Sequence, residues 1–550
     1  MKNLFLIALL SFSFITINAQ TDSTGNYLVN NDTILLPFQR LDTLSIFLAS
    51  DDSLVENMLN RYITLEKNID NANVIIYTTI NDFEKSQNIN KRTILINSEN
   101  KIPNKKTDIE VNIKNGLSKS NAIQKMFGAS TGIEDNGDYR FGFGKAEDVG
   151  IDYTKLATKI DSIANHSIEL GVAPGIQVLV ARYGVVIFHK TYGFHTYDSI
   201  KKVEKRNIYD WASVTKITSS LPALMKLHDE DKFDLDATLG TYIPYFKKGN
   251  KKDLIFRRIL SHNAGLKPWI PYWKTTLRKN GSYKWWTLSH KKSKHYQYEI
   301  APNIYIYDKY KKNIYKQIRK SEVNEEFHPG YKYSGLSFYL QPQIVENITG
   351  TDFQKYINAN FYSKLGANTV GYNPLNRFDI ERIIPTENDT LFRHTLLHGT
   401  VHDEGAAMMK GVSSNAGLFG TTLDLAKIIQ MYLWKGKYGG EQYITANTIE
   451  KFTCANYANE GNKRGLGFDK PKLKDRENDS CSKDASMDSF GHAGYTGTFV
   501  WADPDSGILF IFMSNRVYPT RNNRKIYEYN VRPSMHQAIY DAIIDDKKGK

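Results

Sequence analysis

The chain has 550 residues, 41% of them hydrophobic, which allows two or more domains with sizeable cores and excludes a disordered scaffold. A formal net charge of +13 and a pI near 9.2 fit either acidic partners or a solvated basic surface. Only two cysteines are present, too few for a metal site by themselves. In an oxidising compartment Cys454 and Cys481 could pair, a loop closure of about 3 to 4 kcal/mol, and two free buried thiols are the alternative.

Residues 1–19 have a short basic start, an apolar run over 4–17 and a small residue, Ala19, at a cleavage point, so they read as a secretory signal. The run falls short of the roughly 20 apolar residues that span a bilayer, and nothing later approaches that length. No cysteine follows it to accept a lipid. The expectation is a soluble, secreted or periplasmic protein with no transmembrane segment, for which nucleic acid is an unsuitable partner.

Residues 20–150 are expected to form a small α/β region and a linker. NVIIYTTI (73–80) and RTILIN (92–97) are β-type runs between polar segments, and the Gly-rich passage over 139–150 marks the boundary. Residues 152–171 place Leu156, Ile160, Ile163 and Ile168 at near-helical spacing. Residues 175–193 read as a hairpin around Arg182, Tyr183 and Gly184. WASVTKITSSLPALMKLHDE (211–230) opens a helix that Pro222 should kink. Residues 497–515 form a second hairpin around the Asp503–Gly507 turn. A long helical middle then separates two hairpins drawn from opposite ends of one domain, residues 151–545. The layout is α+β: an antiparallel sheet flanked by helices, with a helical subdomain.

Within WASVTK, Ser213 precedes Lys216 by three residues. Ser98/Lys101, Ser199/Lys202, Ser289/Lys292 and Ser480/Lys483 share that spacing, so spacing alone selects nothing. Position does: Ser213 follows a hairpin and begins an apolar-striped helix, where side chains three apart share a face. A serine hydroxyl is a weak nucleophile until a neighbouring base takes its proton, and a helix-start amide is free to stabilise an oxyanion.

WASVTK, PGYKYSG (329–335) and GHAGYTGTF (491–499), in that order, resemble the three active-site motifs of the serine β-lactamase and penicillin-binding-protein superfamily. The likeness is greatest to its class C branch, which includes esterases and D-Ala-D-Ala carboxypeptidases. ILSHNAGL (259–266), NAGLFGTTLDLAKII (415–429) and GLGFD (465–469) resemble supporting segments of the same family. The resemblance covers roughly residues 150–545. It implies a β-lactamase/transpeptidase-like fold, Ser213 as the acylated nucleophile, Lys216 as its base and Tyr333 as a proton shuttle. His492 and Gly494 take the place of a Lys-Thr-Gly motif lining the substrate edge, and the Tyr495 amide joins that of Ser213 in the oxyanion hole. Tyr356/Asn358 and Tyr457/Asn459 are other Tyr-x-Asn matches.

Two positions depart from the pattern. Gly335 stands where the family usually has Asn or Asp, removing a side chain expected to hold the substrate's amide and to help fix Lys216. His492 stands where many members have Lys, giving a weaker charge that titrates near neutrality. The resemblance implies an ester or D-amino-acid peptide substrate linked to peptidoglycan and no cofactor. A class C-like β-lactamase and a catalytically silent wall-binding protein are the alternatives.

Upstream, residues 121–152 resemble the junction behind a family 3 glycoside hydrolase, but about 130 residues cannot hold a barrel of about 250, so a remnant of its last subdomain is expected. His394, His398 and His402 recur every four residues, yet Gly399 interrupts a helix, and a pocket-shaping role for His402 or Asp403 is expected over a metal. The segment 267–326 is a basic, aromatic insert that could stack sugars or bind acidic wall polymer, or form an elaborated helical subdomain with solvated lysines.

Overall fold

The computed structural model describes residues 27–30, 38, 40–86, 91–98, 109–112, 116–129, 139–324 and 330–544. The expected signal segment, residues 130–138 of the upstream junction and the last two residues of the insert lie outside them. The chain divides into two compact units, Met1–Ala129 and Ser130–Lys550.

The first unit is a small α/β layer. Strands β1 (Tyr27–Asn30), β2 (Ile46–Leu48), β3 (Val74–Tyr77), β4 (Arg92–Asn97) and β5 (Ile109–Asn112) form one sheet in the order β1-β5-β4-β3-β2. β2 to β5 pair in parallel and β1 is an antiparallel edge. Helices α1 (Ser53–Leu59) and α2 (Ile80–Lys85) connect β2 to β3 and β3 to β4, and α3 (Gly116–Met126) follows β5. The side chains of β3 are buried throughout, as expected for a parallel strand covered on both faces.

The second unit is built on a six-stranded sheet. β6 (Gly142–Phe143) is an edge strand parallel to its neighbour, and Phe141 beside it lies in the main core, so residues 139–150 pack with this unit. α4 (Tyr153–Glu169) follows, capped by the Asp152 carboxylate on Lys155 N and ended before Gly171 at φ 67°. Then come the hairpin β7 (Gly175–Arg182) and β8 (Val185–Gly193), and far later β9 (Phe490–Ala493), β10 (Phe499–Asp503) and β11 (Ile508–Ser514), in the order β9-β10-β11-β7-β8-β6. Tyr183 and Gly184 both take positive φ, 48° and 76°, the geometry that lets a two-residue turn follow the strand twist.

Strand alternation separates two cores. Val178, Val180, Phe510 and Phe512 face α4 and the C-terminal helix α7 (Val531–Asp541), joining Leu156, Ile160, Met535 and Ile539. Leu179, Ala181, Leu509 and Ile511 face the opposite way, toward α5 (Ser220–Asp229) and α6 (Thr422–Leu433). Among the described residues no helix is long and apolar enough to cross a membrane.

The insert is less helical than expected. Leu288–Ser289, Tyr298–Ala301 and Ile304–Ile306 form a three-stranded sheet, and one helix, Lys311–Lys320, follows. Its β-branched and aromatic residues around the Asn303 turn, at φ 59°, favour strands. The cysteines are both free: Cys481 is buried, its thiol pushed up to about 12 by desolvation, but Cys454 is exposed, so neither a bridge nor two buried thiols is found.

Candidate active site

The segment ahead of Ser213 is held from several sides. Tyr209–Asp210 pairs with Phe419–Gly420, and the buried Trp211 indole donates to the Gly420 carbonyl at 3.1 Å. The buried Asp210 carboxylate accepts from the amides of Ala212 (2.8 Å) and His402 (2.7 Å). Ala212 consequently sits at φ 44°, a left-handed conformation that an alanine adopts only when its surroundings impose it.

Ser213 lies in the 3-10 turn Ala212–Val214, followed by one helical turn, Thr215–Thr218. The expected kinked helix is two helices with a break at Ser219. Pro222 has no N–H for the Thr218 carbonyl and its ring crowds it, so it falls in the first turn of α5, where no intrahelical donor is needed. The freed carbonyls of Ile217 and Thr218 accept from the hydroxyls of Tyr432 and Tyr362, each at 2.7 Å.

Lys216 is buried, and its Nζ donates to Ser213 Oγ at 2.8 Å and to the Asn415 carbonyl at 2.7 Å. The Tyr333 hydroxyl donates to the same Oγ at 3.2 Å. Either donor, once it has lost a proton, becomes an acceptor for the serine's. The other Tyr-x-Asn candidates are elsewhere: Tyr356 is buried in the helix Phe353–Ile357, and the Tyr457 ring lies under Arg258.

β9 delivers the third motif. His492 Nδ1 donates to the Ala493 carbonyl at 2.8 Å, while its buried Nε2 has no protein partner among the described residues. Burial, aided by Lys216 and Arg464, pushes this imidazole down to about 4 despite nearby Asp469. The expectation of a charge titrating near neutrality is therefore wrong: at pH 7 His492 is neutral, and its Nδ1–H donates to Ala493, leaving Nε2 as an acceptor.

Gly494 admits no side chain, since a Cβ would fall 1.8 Å from Thr498 Oγ1 and 2.7 Å from the Trp211 carbonyl. The turn it opens is stitched to the serine segment by Thr496 Oγ1 to Asp210 O (2.8 Å) and Thr498 Oγ1 to Trp211 O (3.0 Å). Arg516 Nε donates to Tyr495 O at 2.9 Å and its guanidinium lies 4.5 Å from that ring's centroid. Among the described residues the amides of Ser213 and Tyr495 have no hydrogen-bond acceptor, the condition for receiving an oxyanion.

The family model that matches the chain is Beta-lactamase, over residues 160–531. The chain belongs to the Beta-lactamase family. Relatives from Salmonella enteritidis PT4 and Salmonella typhimurium, each named "Putative D-alanyl-D-alanine carboxypeptidase", are 29% identical over 438 residues, which is 73% of this chain and 92% of theirs. Among solved structures, EstCE1, a hydrolase with promiscuous acyltransferase activity, is similar at a TM-score of 0.50 and 16% identity, over 70% of this chain and 99% of its own. A penicillin-binding protein homolog from Caulobacter crescentus is similar at 0.50 and 15%, over 72% and 99%. The fold is the β-lactamase/transpeptidase-like one, and this Beta-lactamase-family chain is a serine hydrolase.

In this family member Gly335 leaves open space: a Cβ added there would find its nearest neighbour, Asn415 Cβ, 4.0 Å away. Lys216, expected to lose a partner with the missing Asn side chain, is held by the Asn415 carbonyl instead, and the Asn415 amide is itself fixed on the Tyr339 hydroxyl at 3.0 Å. His262, from the ILSHNAGL segment, accepts the Ser334 amide at 3.1 Å and lies 4.6 Å from the Tyr333 ring, with its pKa well below the usual value through burial and the nearby cations.

Sequence reasoning missed Arg464. Its side chain is buried and paired with Asp469, whose carboxyl is held down at about 2 by that guanidinium, against desolvation. It sits 5.4 Å from the centroid of Tyr333, and its Nε and Nη2 have no partner among the described residues. Only its place one residue ahead of GLGFD pointed to it. Of the histidine series, His398 contacts the Ile383 carbonyl at 2.8 Å and His402 the Glu387 carboxylate at 2.8 Å. His402 also lies 5.6 Å from the Tyr495 ring, and Asp403 accepts from the Tyr339 hydroxyl at 3.0 Å.

Proposed function

We propose that the chain is an exported D-alanyl-D-alanine carboxypeptidase working through an acyl-enzyme on Ser213. Lys216 takes the Oγ proton as the hydroxyl attacks the carbonyl of the penultimate residue, and the amides of Ser213 and Tyr495 receive the oxyanion. Tyr333 passes a proton to the departing amine and later takes one from the hydrolytic water. The relatives' name and the leader-like start of the sequence support this reading.

The observation that carries it beyond a general esterase is Arg464, a buried cation with two unused donors beside Tyr333. A guanidinium with free N–H groups recognises a carboxylate, and a peptide's terminal carboxylate lies on the leaving residue. Neutral His492 adds an acceptor rather than a charge.

The test compares an N-acylated peptide ending in D-Ala-D-Ala with its C-terminal amide. The acid should release D-Ala at a kcat/KM at least about tenfold above the amide's, and Arg464→Met combined with Asp469→Asn should erase that preference. Equal turnover of acid and amide, or turnover of neither while simple esters are cleaved, would leave an esterase.

A further inference from the structure

The insert carries charge out of proportion to its length. Residues 267–326 hold 14 Lys and Arg against five Asp and Glu, nine of the chain's 13 net positive charges. In the turn just ahead of its small sheet, Trp285 and Trp286 are 71% and 51% exposed, their rings 5.6 Å apart and perpendicular. Large exposed indoles in adjacent positions are an unfavourable use of surface unless something covers them.

The lysines lie beside them. The chain passes from Trp285 and Trp286 through the strand Leu288–Ser289 into a loop bearing Lys291, Lys292 and Lys294, all exposed. Tyr296, closing that loop, donates its hydroxyl to the Trp285 carbonyl and so pins the loop against the tryptophans. Among the described residues these three lysines make no ion pair; the nearby acids are engaged otherwise, Asp308 with His295 at 3.6 Å and Glu299 with the Asn303 amide at 2.7 Å.

We propose that this face docks an anionic glycan, whose pyranose faces stack on the indoles and whose regularly spaced carboxylates meet the lysines. The occupant is chosen by charge complementarity together with the aromatic pair, and by the place of the insert's root. Gly335 N donates to Pro268 O at 3.2 Å and Ser334 Oγ to Lys267 O at 2.6 Å, so the insert starts on the segment that bears Tyr333. A stem peptide amidates its own lactyl carboxyl, so it is carried by a disaccharide next to those whose free carboxylates meet the lysines, on a glycan docked to an insert rooted at the Tyr333 segment. The inference rests on the carboxypeptidase reading for its choice of a wall-type glycan.

The experiment measures binding in the Ser213→Ala background, so that turnover, or its absence, does not enter. The probe is a peptide-free muramyl glycan, with one lactyl carboxylate per disaccharide; a chitin oligosaccharide of equal length, a single-stranded DNA oligomer and anionic phospholipid vesicles are compared. Trp285→Ala/Trp286→Ala should weaken glycan binding at least about tenfold, as should Lys291→Ala/Lys292→Ala/Lys294→Ala, each with the parent's melting temperature. Affinity should also fall at least about tenfold between roughly 0.05 and 0.5 M NaCl, and uncharged chitin should bind more weakly. No glycan binding, equal binding of chitin, or tighter binding of DNA or vesicles that survives loss of both tryptophans would each overturn the proposal.

Discussion

Substituting Gly494 by alanine should separate the oxyanion turn from the nucleophile. The new methyl would stand 1.8 Å from Thr498 Oγ1 and 2.7 Å from the Trp211 carbonyl. Ordinary contact needs about 3.5 Å, so the methyl must gain about 1.7 Å from Thr498 Oγ1 and about 0.8 Å from the Trp211 carbonyl. Thr498 cannot swing away freely, because its hydroxyl bonds to that same carbonyl at 3.0 Å and its own carbonyl accepts from Gly494 N at 2.7 Å. A shift of that size takes the Tyr495 amide out of range of the oxyanion, and losing one such donor costs about 100- to 1000-fold, or roughly 3 to 4 kcal/mol. Overpacking should cost about 1 to 3 kcal/mol of stability as well. The assay is the second-order rate of fluorophosphonate acylation, followed by intact mass, at a temperature where the variant is folded. Gly335→Ala is the internal comparison: its nearest neighbour is 4.0 Å away and its φ is −84°, so it should lose less than about fivefold. If Gly494→Ala reacts as fast as Gly335→Ala, the Tyr495 amide does not bind the oxyanion.

The neutral state of His492 predicts a particular acid sensitivity. The unfolded chain takes up a proton near 6.5 that the folded imidazole refuses until about 4, so stability falls as pH drops through that window, by about 3 kcal/mol in all. Urea denaturation of the parent and of His492→Gln across pH 4 to 7 should show a shallower loss in the variant; parallel curves would mean the folded imidazole titrates normally. Asp210→Ala should leave the buried amides of Ala212 and His402 without their acceptor, lowering stability by about 2 to 5 kcal/mol and slowing acylation of Ser213, with Asp210→Asn intermediate. A variant with the parent's acylation rate would show that Asp210 does not position the serine.

Those parts of the fold governed by local chemistry were legible in the sequence. The β7–β8 hairpin follows from the β-rich apolar runs on either side of Tyr183-Gly184, and α4 from its stripe and the Asp152 cap. Ser213, Lys216 and Tyr333 were found through ordered motifs, and the structure brings these three side chains together. Burial was not legible. Whether His492 carries a charge depends on desolvation and on Lys216, Arg464 and Asp469 arriving from distant segments, which no local pattern reports. Arg464 and Asn415 are single residues in loops, and their meaning lies in which groups they meet. Pro222 advertised a disruption, but whether a helix bends or restarts depends on who satisfies the freed carbonyls, here Tyr362 and Tyr432. The insert misled because its short strands are defined by pairing within the insert rather than by a period long enough to read.

Intact-mass spectrometry with a fluorophosphonate and with a penicillin, run beside Ser213→Ala, tests the acyl-enzyme most directly. The parent should carry a single adduct of each reagent, a lasting one for the penicillin, and the variant none. A parent that takes up neither reagent, or a variant that takes up both, would contradict the assignment of Ser213 as the nucleophile.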